Sequence, residues 1–197
     1  MNAPIVLASE SPRRRALLAQ IGVRFDHVAC AIDEAPEPTE GALLYVERVA
    51  RTKAEYARRV HRTQKPVLAA DTVVVLDGET LGKPRDPAHA DALLQRLSAR
   101  SHDVLTAVAL ASSETSVRLS RSRVWFRSIS AHERAAYCAT GEPMDKAGGY
   151  AIQGMGAIFV TRLEGSYSGV MGLPLLETCE LLRSIGIDPL AAAGATP

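Results

Sequence analysis

The most constraining feature of this sequence is the run Val67–Leu76, which is almost entirely apolar. A run of this length and composition predicts a strand that is buried on both faces of a sheet. Asp71 lies in the middle of it. A charged carboxylate inside such a strand is unfavourable unless it is paired or binds a metal. Asp71 is therefore expected either in a structural ion pair or in a functional site.

The residues after this run predict a hairpin. Asp77 and Gly78 form a typical turn pair, and residues 79–81 can return antiparallel to the strand. Lys83 follows the hairpin, so we expect it near the base of the strand that carries Asp71.

The N-terminal stretch predicts a short strand that leads directly into a helix. Residues 5–8 are apolar, and Ser11 followed by Pro12 is a typical helix start. The free N–H groups and the positive end of the helix dipole then face whatever lies beyond the strand end. Arg13 and Arg14 in the first turn oppose the dipole. An anionic ligand would explain them, and a solvated basic turn is the alternative.

Charged residues in two further segments leave functional and structural interpretations open. Asp33 and Glu34 follow a strand predicted at 23–31. Paired acids there can hold a divalent cation, or they can simply form a solvated loop edge. Lys53 lies on a helix predicted over 43–59 and, considered alone, is expected on the protein surface.

The segment 141–156 lacks a regular pattern. Its repeated glycines argue against a helix or strand, and charged and amide side chains lie between them. Irregular segments of this kind inside a compact domain tend to be functional loops. The other predicted elements are helices at 88–98, 131–139 and 173–185, an antiparallel ribbon of strands at 102–111 and 117–129, a strand at 157–163 and a loop at 164–169.

Composition excludes several classes of function. With a net charge of +1 the chain has no general attraction to nucleic acid or membranes, and no segment approaches a membrane span. The three cysteines are too far apart for a disulfide framework or a zinc finger, which indicates a reducing compartment. Residues 1–4 do not resemble a signal peptide. We expect a cytoplasmic α/β protein with a single domain at 1–190 and a disordered tail at 191–197, which binds neither nucleic acid nor membrane.

Five charged residues together suggest a chemistry: Arg13, Glu34, Lys53, Asp71 and Lys83. The two acids can hold a divalent metal, and the three cations can neutralise a polyphosphate. Cleavage of a phosphoanhydride needs this combination, because its barrier falls mainly through positioning and charge neutralisation. The sequence has no Walker loop and no Cys–His or Ser–His pair that indicates a covalent nucleophile. Water is therefore the expected attacker.

At these residues the sequence closely resembles the Maf family of nucleoside triphosphate pyrophosphatases. The matching motifs occur in the family's order and cover nearly the whole chain apart from the tail. They lie at 7–14, 32–34, 53–54, 70–74, 82–84, 141–154 and 172–175.

The resemblance implies a fold, an activity and a partner. The fold would be α/β, with an elongated mixed sheet in two lobes around a cleft, similar to the inosine triphosphate pyrophosphatases. The activity would be hydrolysis of a nucleoside triphosphate to the monophosphate and pyrophosphate with Mg²⁺ or Mn²⁺, and the partner would be a second copy in a homodimer. The alternative is a non-catalytic, nucleotide-responsive regulator of cell division, which would not need Asp71.

The resemblance also implies roles for individual residues. Asp71 would accept the proton of the attacking water or hold the metal together with Glu34, and Lys53 and Lys83 would bind the phosphates. The residues implied in substrate binding and specificity are Ser9, Ser11, Arg13, Arg14, Thr72 and Gln153.

The combination of Arg13, Thr72 and Gln153 resembles the dTTP/UTP branch of the family. The branch that acts on 7-methyl-GTP carries a tryptophan, a glutamine and a glutamate instead. Gln153 offers both a donor and an acceptor, which suit the imide edge of uracil or thymine. Since side chains alternate along a strand, Thr72 should share a site with Asp71 only if the strand ends or bulges there. We therefore expect an interruption at this point and assign base recognition mainly to Gln153.

Overall fold

A computed structural model describes residues 3–193 of the chain, in which seven strands form one mixed sheet with helices on both faces. The strands are β1 (Ile5–Ala8), β2 (Phe25–Val28), β3 (Val67–Leu76), β4 (Glu79–Leu81), β5 (Ser101–Ala111), β6 (Thr115–Phe126) and β7 (Val160–Glu164). The α-helices are α1 (Pro12–Gln20), α2 (Ala42–Val60), α3 (Pro87–Leu97), α4 (Ala131–Ala139), α5 (Tyr167–Met171), α6 (Leu175–Arg183) and α7 (Pro189–Ala193). Short 3₁₀ turns lie at Glu142–Asp145, Ala147–Gly149 and Met155–Phe159.

The strand order is β2-β1-β3-β5-β6-β7, and β4 also pairs with β3. β1 runs parallel to β2 and β3, whereas the other pairs are antiparallel. This topology confirms the predicted α/β class with a mixed sheet. On one side of β3, β1 pairs only with Val67 and Leu68, and the pairing with β4 starts at Val74. Within the described chain, residues 69–73 of β3 therefore pair only with β5, which leaves a gap between β1 and β4.

Apolar clusters on the two faces of the sheet position this gap. Helix α2 covers one face and packs against Ala69 and Val73. On the opposite face, α1 and α6 pack with Leu68 and Ala70, while α3 packs with Val74. The alternation of these β3 residues between faces follows the pleat of a regular strand. The cluster of α1 and α6 and the cluster of α3 lie on either side of the gap. A cleft between two lobes therefore opens there, as expected.

Three strands differ from the sequence predictions by two residues or more at one end or both. β6 covers Thr115–Phe126 instead of 117–129. β2 covers Phe25–Val28 instead of 23–31, because β1 offers only four residues as pairing partners. The strand predicted at 157–163 starts later, at Val160. A 3₁₀ turn over Met155–Phe159 precedes it, which buries Phe159 and leaves Met155 and Ile158 exposed.

The C-terminal part contains more helix than predicted. The predicted loop at 164–169 includes the start of α5, because Ser166 Oγ accepts a hydrogen bond from Gly169 N and caps the helix. Helix α7 extends to Ala193, into the predicted tail. The rest of that tail, 194–197, lies outside the described residues, and there the expectation of disorder stays a prediction.

Two expectations from composition can be compared with residues 3–193. No helix in this range is both long and apolar enough to cross a membrane. Cys30, Cys138 and Cys179 are all free thiols, as their spacing indicated.

Candidate active site

A cleft of about 630 Å³ opens at the gap in the sheet. Its walls come from the β1–α1 loop, the middle of β3, the residues after β4 and the glycine-rich segment. It is lined by all the residues predicted for the site: Ser9, Ser11, Arg13, Arg14, Glu34, Lys53, Asp71, Thr72, Lys83 and Gln153. The fold thus gathers residues from distant parts of the chain into one place.

Lys53 connects the two predicted acids. It projects from α2 and is only 8% exposed, and its Nζ lies 2.8 Å from Asp71 Oδ1 and 2.9 Å from Glu34 Oε1. The expectation of a surface lysine is therefore wrong. Lys53 lies four residues from both Val49 and Ala57, so it shares the buried face of α2. Because desolvation offsets much of the attraction in a buried ion pair, its place at the cleft points to function more than to stability.

The start of α1 forms another wall of the cleft. Ser11 Oγ accepts a hydrogen bond from Arg14 N at 3.4 Å, which confirms the predicted N-cap. Ser9 Oγ in turn accepts one from Ser11 N at 3.2 Å. Since residues 9–14 line the cleft, the N-terminus of α1 lies where it favours a bound anion.

The two arginines of α1 have different partners. Arg14 Nε donates to Gly172 O at 2.8 Å, and Arg14 Nη2 donates to Thr72 Oγ1 at 3.4 Å. Burial lowers the pKa of Arg14. Arg13 contacts the opposite wall, where its Nη1 lies 2.8 Å from Asp145 Oδ2. Arg14 therefore supports the floor of the cleft, whereas Arg13 links its two sides.

The ionised carboxylate of Asp145 binds the guanidinium of Arg13. Burial by itself would raise the pKa of Asp145, but hydrogen bonds from Lys146 and Arg13 outweigh it and lower the pKa to about 2. Sequence reasoning did not single out Asp145 or Lys146, although both lie within the glycine-rich segment.

Asp71 and Thr72 enter the cleft from opposite faces of the sheet. The register of β3 with β5 is regular from Val67 to Val75, so the expected interruption of the strand is wrong. Both side chains nevertheless line the cleft. This is possible because residues 69–73 have a partner on one side only within the described chain, and the cleft wraps around that free edge.

Thr106 does not line the cleft but supports Thr72 from the neighbouring strand, and sequence reasoning missed it. It lies opposite Thr72 on β5, is 1% exposed, and donates its hydroxyl hydrogen to Gly169 O at 2.8 Å. Thr106 Oγ1 also lies 3.0 Å from Thr72 Oγ1 and can donate to it instead. Thr106 and Arg14 together fix the Thr72 hydroxyl at the wall of the cleft. The sequence feature that could have identified Thr106 is that it is a polar residue within the otherwise apolar run 104–111 of β5.

Tyr45 is a second residue that was missed. Its hydroxyl donates to the backbone carbonyl of Glu34 at 2.9 Å and lies at the cleft wall. Burial, together with the negative charges of Asp71 and Glu34, raises the pKa of Tyr45 to about 12. Tyr45 thus stays a donor that holds the Glu34 backbone beside Lys53.

Gln153 and Lys83 differ from the other polar residues of the cleft. Both are exposed, and neither has a hydrogen-bond or ion-pair partner among residues 3–193. Lys53, Arg13 and Arg14 already have protein partners. Gln153 and Lys83 are therefore directly available to a ligand.

The acids of the cleft fit one kind of metal site. Within residues 3–193, no group of three or more His, Cys, Asp or Glu side chains could by itself hold a metal ion. Glu34 and Asp71 approach the same ammonium group, so their carboxylates are close together. Mg²⁺ is commonly bound by one or two carboxylates together with substrate phosphates. The pair therefore fits a cation that arrives with a polyphosphate.

A cleft that combines two carboxylates, several cations and a helix N-terminus defines the class of polyphosphate-binding α/β proteins. The comparison with protein families agrees with this class. The model of the Maf-like protein family matches residues 4–185, and the chain belongs to that family.

Several relatives named dTTP/UTP pyrophosphatase are similar over most of their length. The protein from Myxococcus xanthus is 52% identical over 190 residues, covering 95% of this chain and 96% of the relative. The protein from Methylococcus capsulatus is 50% identical over 195 residues, covering 98% and 96%. The protein from Escherichia coli O157:H7 is 50% identical over 181 residues, covering 91% and 92%.

Two solved structures also match part of the chain. The nucleoside-triphosphatase (dITP/XTP pyrophosphatase) of Mycobacterium abscessus is 21% identical, with a TM-score of 0.40 over 62% of this chain and 72% of that chain. The Ham1 protein of Staphylococcus aureus is 18% identical, with a TM-score of 0.45 over 62% and 71%.

Proposed function

We propose that this chain hydrolyses dTTP and UTP to the nucleoside monophosphate and pyrophosphate. The observation that carries the proposal is the contact of buried Lys53 with both Asp71 and Glu34 in a cleft that contains further cations. Such a site suits the positioning and charge neutralisation that phosphoanhydride cleavage requires. Relatives about half identical over nearly the whole chain, named dTTP/UTP pyrophosphatase, support the same substrates.

In the proposed reaction, Asp71 accepts the proton of the attacking water. Lys53 fixes the Asp71 carboxylate and places Glu34 beside it, and its charge also faces the phosphates. A Mg²⁺ or Mn²⁺ ion held by Asp71 and Glu34 would supply further positive charge to the phosphate oxygens. Lys83, which has no ion-pair partner among residues 3–193, binds the phosphates directly.

Binding and specificity are assigned to the remaining residues of the cleft. Ser9, Ser11 and Arg14 at the start of α1 face the phosphates. Gln153 pairs with the imide edge of the pyrimidine, and Arg13 and Thr72 support this recognition. The amide oxygen of Gln153 can accept from the N3–H of uracil and thymine, which the bare N3 of cytosine lacks.

The experiment is a substrate panel with the purified chain, in which pyrophosphate release is measured for dTTP, UTP, CTP, GTP and 7-methyl-GTP. We expect efficient turnover of dTTP and UTP and poor turnover of 7-methyl-GTP. Asp71→Asn should remain folded but lose turnover, because an amide cannot accept the proton. Near-normal pyrophosphate release by this variant would remove Asp71 from the reaction. Binding of nucleotides without turnover by the wild type would favour the regulator of cell division instead.

We also propose that the chain acts in the cytoplasm as a homodimer of one domain spanning 1–190, as the family resemblance suggests. Light scattering of the purified chain tests the dimer directly. A monomeric mass at micromolar concentration would contradict it.

A further inference from the structure

The segment 151–156, which carries Gln153, is anchored by side chains from outside it. Ala151 N donates to Tyr137 Oη at 3.1 Å. Met155 N donates to Glu142 Oε2 at 3.1 Å, and Gly156 N donates to Glu142 Oε1 at 3.0 Å. These bonds satisfy backbone N–H groups that lie outside the strands of the described chain. Met155 and Gly156 are the first residues of the 3₁₀ turn, whose first N–H groups lack partners within it. The position of Gln153 therefore depends on Tyr137 and Glu142.

The two anchoring side chains support each other. Tyr137 Oη donates to Glu142 Oε1 at 2.7 Å. Tyr137 is 3% exposed and packs edge-on against Phe159, with ring centroids 5.2 Å apart. Burial would raise the pKa of Glu142, but the hydrogen bonds from Tyr137 and the backbone outweigh it and lower the pKa. An ionised carboxylate makes these bonds stronger than neutral ones.

The glycines beside Gln153 are explained by the same contacts. A Cβ at Gly154 would lie 2.3 Å from Glu142 Oε2, and a Cβ at Gly156 would lie 2.8 Å from Tyr137 Oη. Only glycine lets the backbone come this close to the two anchors. The glycine pattern of the segment is thus a consequence of how Glu142 and Tyr137 hold it.

We propose that Glu142 and Tyr137 are positioning residues that set the pyrimidine specificity by holding Gln153 toward the base. The inference rests on the proposed function, in which Gln153 reads the base. The anchors at Ala151 and Met155 stand two residues to either side of Gln153, whose own side chain has no partner among residues 3–193. A segment fixed in this way does not have to be ordered when the nucleotide binds.

The test compares Glu142→Gln and Tyr137→Phe with the wild type. The measured quantity is the ratio of kcat/KM for dTTP to kcat/KM for CTP, which does not depend on the fraction of folded enzyme. We expect the ratio to fall about tenfold in each variant, mainly through a higher KM for dTTP, because misplaced recognition groups lose their selectivity. An unchanged ratio in both variants would overturn the proposal.

Glu133→Gln is the matched control. Glu133 is also a glutamate whose carboxylate accepts hydrogen bonds, in the capping box with Ser130 at the start of α4. It does not contact the segment 151–156. This variant should lower Tm and leave the dTTP-to-CTP ratio unchanged. A fall in the ratio equal to that of Glu142→Gln would show a general effect of destabilisation and overturn the proposal.

Hydrogen exchange separates this inference from the proposed function. In Glu142→Gln, the amides of Met155 and Gly156 should exchange at least about tenfold faster, while amides of β5 keep their wild-type rates. If the wild type hydrolyses no pyrimidine triphosphate, the proposed function fails and the ratio of Kd values for CTP and dTTP replaces the kinetic ratio. Unchanged exchange at both amides would overturn the inference whether or not the chain is catalytic.

Discussion

Asp71 and Thr72 are consecutive residues on one regular strand, and their side chains reach the same cleft from opposite faces of the sheet. Asp71 contacts Lys53 from α2 on one face, and Thr72 contacts Arg14 from α1 on the other. The proposed catalytic acid and the proposed specificity residue therefore have separate supports. Substitutions on the two faces should consequently affect the rate and the substrate preference differently.

Lys53→Ala and Lys83→Ala should both reduce kcat/KM for dTTP by about a hundredfold, because each removes a positioned charge. Their stabilities should differ. Loss of Lys53 leaves two nearby carboxylates, one of them buried, without their cation, which costs about 3–5 kcal/mol. Lys83 is exposed and unpaired among residues 3–193, so its loss should leave Tm unchanged. Urea unfolding together with pyrophosphate release measures both effects, and wild-type activity in both variants would exclude a role for these lysines.

Thr106→Val should weaken discrimination between dTTP and CTP. The change removes the hydroxyl that lies 3.0 Å from Thr72 Oγ1. The Thr72 hydroxyl thereby loses one of its two hydrogen-bond partners among residues 3–193 and is positioned less firmly at the cleft wall. We expect the dTTP-to-CTP ratio of kcat/KM to fall about fivefold, with a stability loss of about 1 kcal/mol. Thr178→Val is the matched control, since Thr178 is also fully buried and donates to Pro174 O at 2.7 Å. If the control changes the ratio as much as Thr106→Val does, loss of the Thr106–Thr72 contact is not the cause.

Gln153→Glu should depress turnover of dTTP and UTP by at least about tenfold. A carboxylate would face the carbonyl oxygens of the pyrimidine and remain an unpaired charge beside them. Gln153→Ala, which removes the contact without adding charge, should show a smaller loss. Steady-state kinetics on both variants checks this order, and equal activity of wild type and Gln153→Glu would remove Gln153 from base recognition.

His102→Phe should flatten the dependence of stability on pH. His102 is 3% exposed, its Nε2 lies 2.7 Å from Tyr150 Oη, and burial lowers its pKa from 6.5 to about 4. Between these values the unfolded chain binds a proton that the folded protein does not. The free energy of unfolding should therefore fall as pH drops through this window, by up to about 1.4 kcal/mol per pH unit.

Urea unfolding of wild type, His102→Phe and His132→Gln between pH 7 and pH 4 measures this slope. His132 is an exposed histidine and serves as the control, with a slope like that of the wild type. An identical slope in His102→Phe and wild type would show that His102 does not cause the dependence.

Local patterns in the sequence determined most of the elements, and the combined motifs carried the resemblance to the Maf family that implies the site residues. The apolar run Val67–Leu76 predicted β3 to the residue, and Ser11 predicted the start of α1. The residues that this resemblance implies for the site all line one cleft, although each motif that carries them is weak by itself. Hydrophobic periodicity and capping residues act over a few neighbours, so they can be read along the chain.

The tertiary structure alone decided how these residues act on each other. The buried position of Lys53, the alignment of Thr106 with Thr72 and the hold of Glu142 on the Gln153 segment all join distant parts of the chain. None of them follows from local pattern, because each depends on strand register and on how helices and loops pack on the sheet. The shared cleft of Asp71 and Thr72 has the same origin. The strand is regular, but among residues 3–193 no strand pairs with 69–73 on the side away from β5, so side chains from both faces reach the same cleft.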